Sequence, residues 1–286
     1  MHYQTAADWR SAAHKRVALF GMSGMGKTHI SAMLRDEADW FHYSVDFRIG
    51  TRYMGEHIVD NFKREAMRNP FLRELLRSDS IYIASNITFH NLAPLSTYLG
   101  KPGDPGRGGI AFDEYLARQR QHRAAEIAAT RDALEFISKA ETLYGYRHFI
   151  ADTSGSLCEV VDPLDNADPI LSEFASALLP VWIRGTPDHV EALAARFDRT
   201  PKPMYYPEEF LIGLWDEFRA DRGLAPRDVD PDAFIRYAFR RLIEHRLPRY
   251  QAMADRWGVT VEADEVAAVR DPMDFDDLIA AALARS

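Results

Sequence analysis

The stretch that most limits how this chain can fold is KRVALFGMSGMGKTHISAML, residues 15–34. The apolar run RVALF, 16–20, reads as a short buried strand, and HISAMLRDEADW after the glycines has apolar residues at helical spacing. Short apolar strands alternating with helices recur downstream, which predicts a parallel sheet covered on both faces.

The glycines also carry chemistry. Gly21, Gly26, Lys27 and Thr28 fit G-x-x-x-x-G-K-[ST] in the strand–loop–helix setting that the pattern needs. Without side chains in the way, the backbone can turn several N–H groups onto one anion, and the helix that begins there adds its positive dipole end. The expected cradle takes in Gly21, Ser23, Gly24, Met25, Gly26, Lys27, Thr28 and His29. Lys27 is expected to reach the β- and γ-phosphates of a nucleoside triphosphate, and the Thr28 hydroxyl to hold Mg²⁺.

Further strands are expected over 41–49, ending at Gly50, over 147–152 and over 180–185. Helical spacing appears at 56–68, 71–77, 112–143, 166–178 and 188–198. Segment 80–89 suits strand or helix equally, and KPGDPGRGGI, 101–110, is a loop that could be a lid or a surface connection. About a hundred residues separate the second and third strands, more than a simple crossover requires. Residues 53–145 are therefore expected to form a largely helical insertion. The expected domains are a nucleotide-binding domain over 1–206 and a helical extension over 207–286 packed on it.

Composition narrows the function classes. At 286 residues and 47 % hydrophobic, the chain can bury a core without metals or disulfides. Its single cysteine, Cys158, the lack of a basic-then-apolar leader and the lack of a long apolar run point to a cytoplasmic protein with no membrane partner. A net charge of −8 argues against a duplex-DNA binder, and the basic helices 63–77 and 118–131 carry interleaved acids that suit solvated faces.

GMSGMGKT resembles the phosphate-binding loop of the P-loop NTPase superfamily. Its G-x-S-G-x-G-K-T form is similar to that of small P-loop kinases acting on metabolites and nucleotides, and the chain also resembles bacterial proteins catalogued as ATPases. The resemblance implies a three-layer α/β fold with a mostly parallel sheet, and ATP with Mg²⁺ as ligands. It also implies a carboxylate at the end of a neighbouring strand. Asp152 in HFIADTSGS takes that position, with Asp46 as its competitor. Asp152–Gly155 further resembles the D-x-x-G element of GTPases, whose glycine N–H senses the terminal phosphate. No Asn-Lys-x-Asp follows a later strand, and Arg184-Gly185-Thr186-Pro187-Asp188 is a poor echo of it, so ATP is favoured over GTP.

In kinases of this fold the region after the second strand often meets the phosphate acceptor. There Asp46 could accept a proton and Arg48 or Arg52 could bind an anion, and strand alternation would put Asp46 and Arg48 on one face. An edge-strand salt bridge suits the same residues. Arg196 and Arg199 resemble lid arginines that neutralise the transferred phosphoryl group, with Arg199 taken as the catalytic candidate; a solvated helix end suits them too. The expected activity is Mg²⁺-dependent cleavage of the ATP γ-phosphate, kinase-like, with an unidentified small-molecule acceptor. The alternative is a regulatory ATPase or switch acting on a partner protein.

Overall fold

In the computed structural model, which describes residues 3–286, five strands form one parallel sheet in the order β2-β3-β1-β4-β5. They are β1 (Arg16–Phe20), β2 (Trp40–Ser44), β3 (His148–Asp152), β4 (Leu179–Arg184) and β5 (Val259–Glu262). Val17, Ala18, Leu19 and Phe20 are all buried, as a central parallel strand covered on both faces requires. The step from β1 to β2 passes over β3, and every later step moves across the sheet the other way. Right-handed crossovers therefore put the first connecting helix, Lys27–Glu37, on one face and the later connections on the other. Lys27–Glu37 packs beside Pro272–Arg285, which in turn packs against Ala6–Ser11. The opposite face receives Phe136 of the helix Phe112–Thr142 against Phe41 and Tyr43, and the Tyr43 hydroxyl donates to Ala129 O at 2.6 Å.

The chain divides into two compact units. The first comprises the chain up to Val45, Glu126–Thr200 and Ala238–Ser286, and holds the whole sheet. The second comprises Asp46–Ala125 and Pro201–Tyr237 and is mostly helical. In the second unit Trp215 stacks on Phe112 at 4.5 Å and meets the edge of Phe234 at 4.9 Å. The 101–110 loop is pinned there: Asp104 N–H donates to Val229 O at 2.8 Å, and Lys101 and Arg107 pair with Asp232 and Asp230. These ties suit a surface connection, the second of the two roles expected for this loop. Among the described residues, no helix is long and apolar enough to cross a membrane.

Several expectations need adjustment. Strand β2 ends at Ser44 rather than running to 49, because its partner β3 ends at Asp152, directly opposite Ser44. Beyond that point the backbone has no ladder, and Val45–Arg48 and Ile49–Tyr53 turn helical. Asp46 and Arg48 therefore do not share a face, since residues two apart on a helix point away from each other. The tail from 207 is mostly helical but also supplies β5, and the compact units divide at 200/201 and 237/238. Segment 80–89 is neither strand nor helix, apart from one bridge between Thr88 and Asn91. Finally, 118–131 is only in part a solvated face: Arg120, Arg123 and Arg131 are exposed, but one stripe is not. Arg118, His122, Glu126 and Thr130, spaced four apart along the helix, are all buried.

Candidate functional site

In open α/β sheets, ligands bind beyond the carboxyl ends of adjacent strands whose connections depart in opposite directions. Here those strands are β1 and β3, so the crevice lies between the 21–26 loop and the 153–156 turn. Topology and motif, two independent arguments, choose the same place.

The loop's shape follows from its glycines. Gly21, Gly24 and Gly26 have φ of 131°, 85° and 96°, values at which a side chain is strained. A Cβ on Gly21 would lie 2.8 Å from Ile183 O of β4, so this turn also needs the close approach that only glycine allows. Lys27 opens the following helix and is buried; its Nζ donates to Gly21 O at 2.9 Å and to Met22 O at 3.1 Å. The ammonium group thus lies folded across the loop. Ser23, Gly24, Thr28 and His29 are exposed, so solutes can reach the loop's outer rim.

Thr28 Oγ1 donates to Asp152 Oδ2 at 2.6 Å. Burial pushes the Asp152 carboxyl above its ordinary value, while the Lys27 charge and the Thr28 hydrogen bond pull it back. His42 Nε2 of β2 stands 3.9 Å from the same carboxylate oxygen. Two hard oxygen donors so close suit Mg²⁺, whose neighbouring octahedral ligands stand about 2.9 Å apart. Opening the Thr28–Asp152 contact by a few tenths of an ångström makes room for that edge.

The segment after β3 closes the other side. Thr153 N–H and Oγ1 both donate to Leu19 O, at 3.1 and 2.9 Å. A Cβ on Gly155 would lie 3.7 Å from Gly21 O and 3.8 Å from Ser23 N, so this glycine abuts the loop. Ser154 Oγ, Ser156 Oγ and Glu126 Oε2 form a chain of contacts of 2.7 and 2.6 Å, and all three residues are buried.

Within the first unit the structure thus brings Gly21, Lys27, Thr28 and Asp152 together. Of the two candidate arginines, Arg196 reaches the loop: its Nη2 lies 2.6 Å from where a Gly24 Cβ would be. Arg199 is exposed in the last turn of Pro187–Arg199, where the helix dipole favours a cation. Asp46 belongs to the second unit, half-buried in Val45–Arg48. Arg48 there lies 5.9 Å from the centre of the Tyr53 ring. The sequence reading missed His42 and Glu126. Alternation along WFHYS, which puts His42 and Ser44 on one face, was the available signal for the first; no local signal marked the second.

A separate cleft opens at the amino ends of the strands, lined by Lys15, Trp40, Arg147, His148 and Asp276. The Lys15–Asp276 ion pair occupies it.

Comparisons of the chain with protein-family models, curated proteins and solved structures return no match. The functional reading therefore rests on the chemistry of the site itself.

Proposed function

We propose that this protein is a P-loop NTPase that binds ATP with Mg²⁺ and cleaves the γ-phosphate. One observation carries the reading: the 2.6 Å contact between Thr28 and Asp152 beside a loop held open by three positive-φ glycines. In this reading the amides of residues 23–28 hold the β-phosphate, assisted by the dipole of Lys27–Glu37. Lys27 exchanges its two loop carbonyls for β- and γ-phosphate oxygens. Thr28 and Asp152 would hold Mg²⁺, which would supply positive charge to offset that of the phosphates. ATP is favoured over GTP on the sequence grounds given above.

The γ-phosphoryl group goes to a small-molecule acceptor in the kinase-like form of this proposal, which the placement of Arg196 against Gly24 supports. A second form, a regulatory ATPase or switch acting on a partner protein, is favoured by Gly155 abutting the loop while the Tyr250 hydroxyl donates to Gly155 O. Incubating protein and ATP with and without a metabolite extract separates them. Extract-dependent ADP release with new phosphorylated masses supports the kinase; constant slow release supports the ATPase; no ADP release in either arm sinks both.

Asp152→Asn tests the metal role. Asparagine keeps an acceptor for Thr28 but loses the charge, so Mg²⁺-dependent turnover is expected to fall about a hundredfold and nucleotide affinity by less than about threefold. Equal loss in rate and affinity, measured by steady-state assay and calorimetry, would contradict the role.

A further inference from the structure

Residues 81–90 alternate one by one between half-buried and exposed, which is the period of an extended strand. The inner set is Ile81, Ile83, Ser85, Ile87 and Phe89. Ile87 lies against Gly50, and the Phe89 ring meets that of Phe47 edge-on at 4.8 Å, both contacts within the second unit. Tyr82, Ala84, Asn86 and Thr88 form the outer set, with Tyr82 88 % exposed.

Along an extended chain the backbone N–H and C=O groups point to opposite edges at successive residues. One edge of this segment is engaged. Thr88 and Asn91 exchange backbone hydrogen bonds of 3.1 Å in both directions, and Asn91 Nδ2 donates to Asn86 O at 2.9 Å. That edge belongs to the even-numbered residues. On the other edge, the backbone groups of Ile81, Ile83, Ser85 and Ile87 have no hydrogen-bond partner among the described residues. A row of this kind is a template for a further strand, and proteins that must keep it single blunt it with charges, proline or a bulge. From Ser80 to Asn91 there is no Lys, Arg, Asp, Glu or Pro. The segment lacks a ladder, yet it carries the pattern and composition of a strand that has one.

We propose that this open edge pairs with the same edge of a second copy of the chain, antiparallel about a twofold axis at Ala84, and makes the protein a dimer. In that register the four open residues meet only one another. Ile81 pairs with Ile87 and Ile83 with Ser85 across the axis, each pair exchanging two N–H···O bonds. On the outer face Tyr82 pairs with Asn86, while Ala84, the smallest outward side chain, meets itself where the copies come closest. Charge favours a second copy over a foreign peptide as the occupant. A neutral strand has nothing with which to select a peptide by its charge, and two such strands bring no like charges face to face. Two strands alone are marginal in water, but here each is backed by its own unit through Ile87 and Phe89. The inference does not depend on the nucleotide chemistry proposed above.

Analytical ultracentrifugation of the full chain tests it. A small interface predicts a dimer whose population rises with concentration over about 10–100 µM. Ser85→Pro deletes a donor from the open edge, so dimer affinity should fall at least about tenfold. The monomer loses no hydrogen bond, because that N–H has no partner within it. Ala84→Lys and Ala84→Glu change an exposed position, and each alone should weaken the dimer about fivefold by setting like charges across the axis. Mixed in equal amounts, the two should associate more tightly than either alone. If Ser85→Pro does not fold, the two Ala84 variants decide. Wild-type protein that stays monomeric at about 100 µM overturns the proposal, including when mass spectrometry finds a foreign peptide bound to it. A dimer that the folded variants leave unchanged overturns it as well, since the contact would then lie elsewhere.

Discussion

Replacing Lys27 with alanine should lower ATP turnover about a thousandfold or more while the protein stays folded. The ammonium is the one cation the loop itself presents, and its two partners, Gly21 O and Met22 O, hold it across the concavity where phosphate oxygens would lie. Losing that charge at the transition state corresponds to about 4 kcal/mol of barrier. The fold has less at stake. Alanine is the best helix former, the residue opens its helix, and the exposed rim beside it lets water reach the freed carbonyls. The substitution also removes the charge that restrains Asp152, so burial pushes that carboxyl higher still, which would weaken it in the metal role proposed for it. Circular dichroism, thermal melting and a coupled ADP assay check all of this. Turnover within about threefold of wild type, in a folded variant, would remove the phosphate-binding role of the loop.

Gly258→Ala should have the largest effect on stability, about 3 kcal/mol. Gly258 joins the helix Pro231–Trp257 to β5, and its N–H caps that helix by donating to Ala254 O at 3.1 Å. A Cβ there would lie 2.8 Å from Pro180 C and 2.9 Å from Pro180 Cβ, and nearer still to the Pro180 carbonyl oxygen. Pro180 is part of β4, which among the described residues is the one strand that pairs with β5, starting at Val181 opposite Val259. The methyl group can fit only if β5 moves away from β4, which breaks the ladder. The urea midpoint should fall with an unchanged slope. A loss below about 0.5 kcal/mol would mean that the two strands do not approach this closely.

Much of the site could be read from local pattern. RVALF, the glycines and Lys27-Thr28 lie within thirteen residues, and each constrains the next through backbone geometry. Asp152 was legible for a similar reason, since an apolar run that ends in an acid and then a turn marks the carboxyl end of a strand. Glu126 and Arg246 were not. A charged residue in the middle of a helix is usually solvated, and nothing within a few positions of either one says otherwise. Glu126 is buried because Ser156 donates to it, and Arg246 because Glu159 accepts from it, partners 30 and 87 residues away. Strand β5 was missed because VTVE is four residues between two helices, too short for its alternation to stand out. The end of β2 was misjudged because a strand stops where its neighbour stops, and β3 lies more than a hundred residues further on.

By itself, the sequence determined the strand–loop–helix unit, the alternation that makes the sheet parallel, and the residue types along the glycine loop. These depend on steric limits and periodicities that act over a few residues. Tertiary structure alone decided that the last fifty residues complete the sheet, that Arg196 rather than Arg199 meets the loop, and that Arg246 is buried against Glu159. Those outcomes depend on which distant segments bury each other, and burial is a property of the whole packed core.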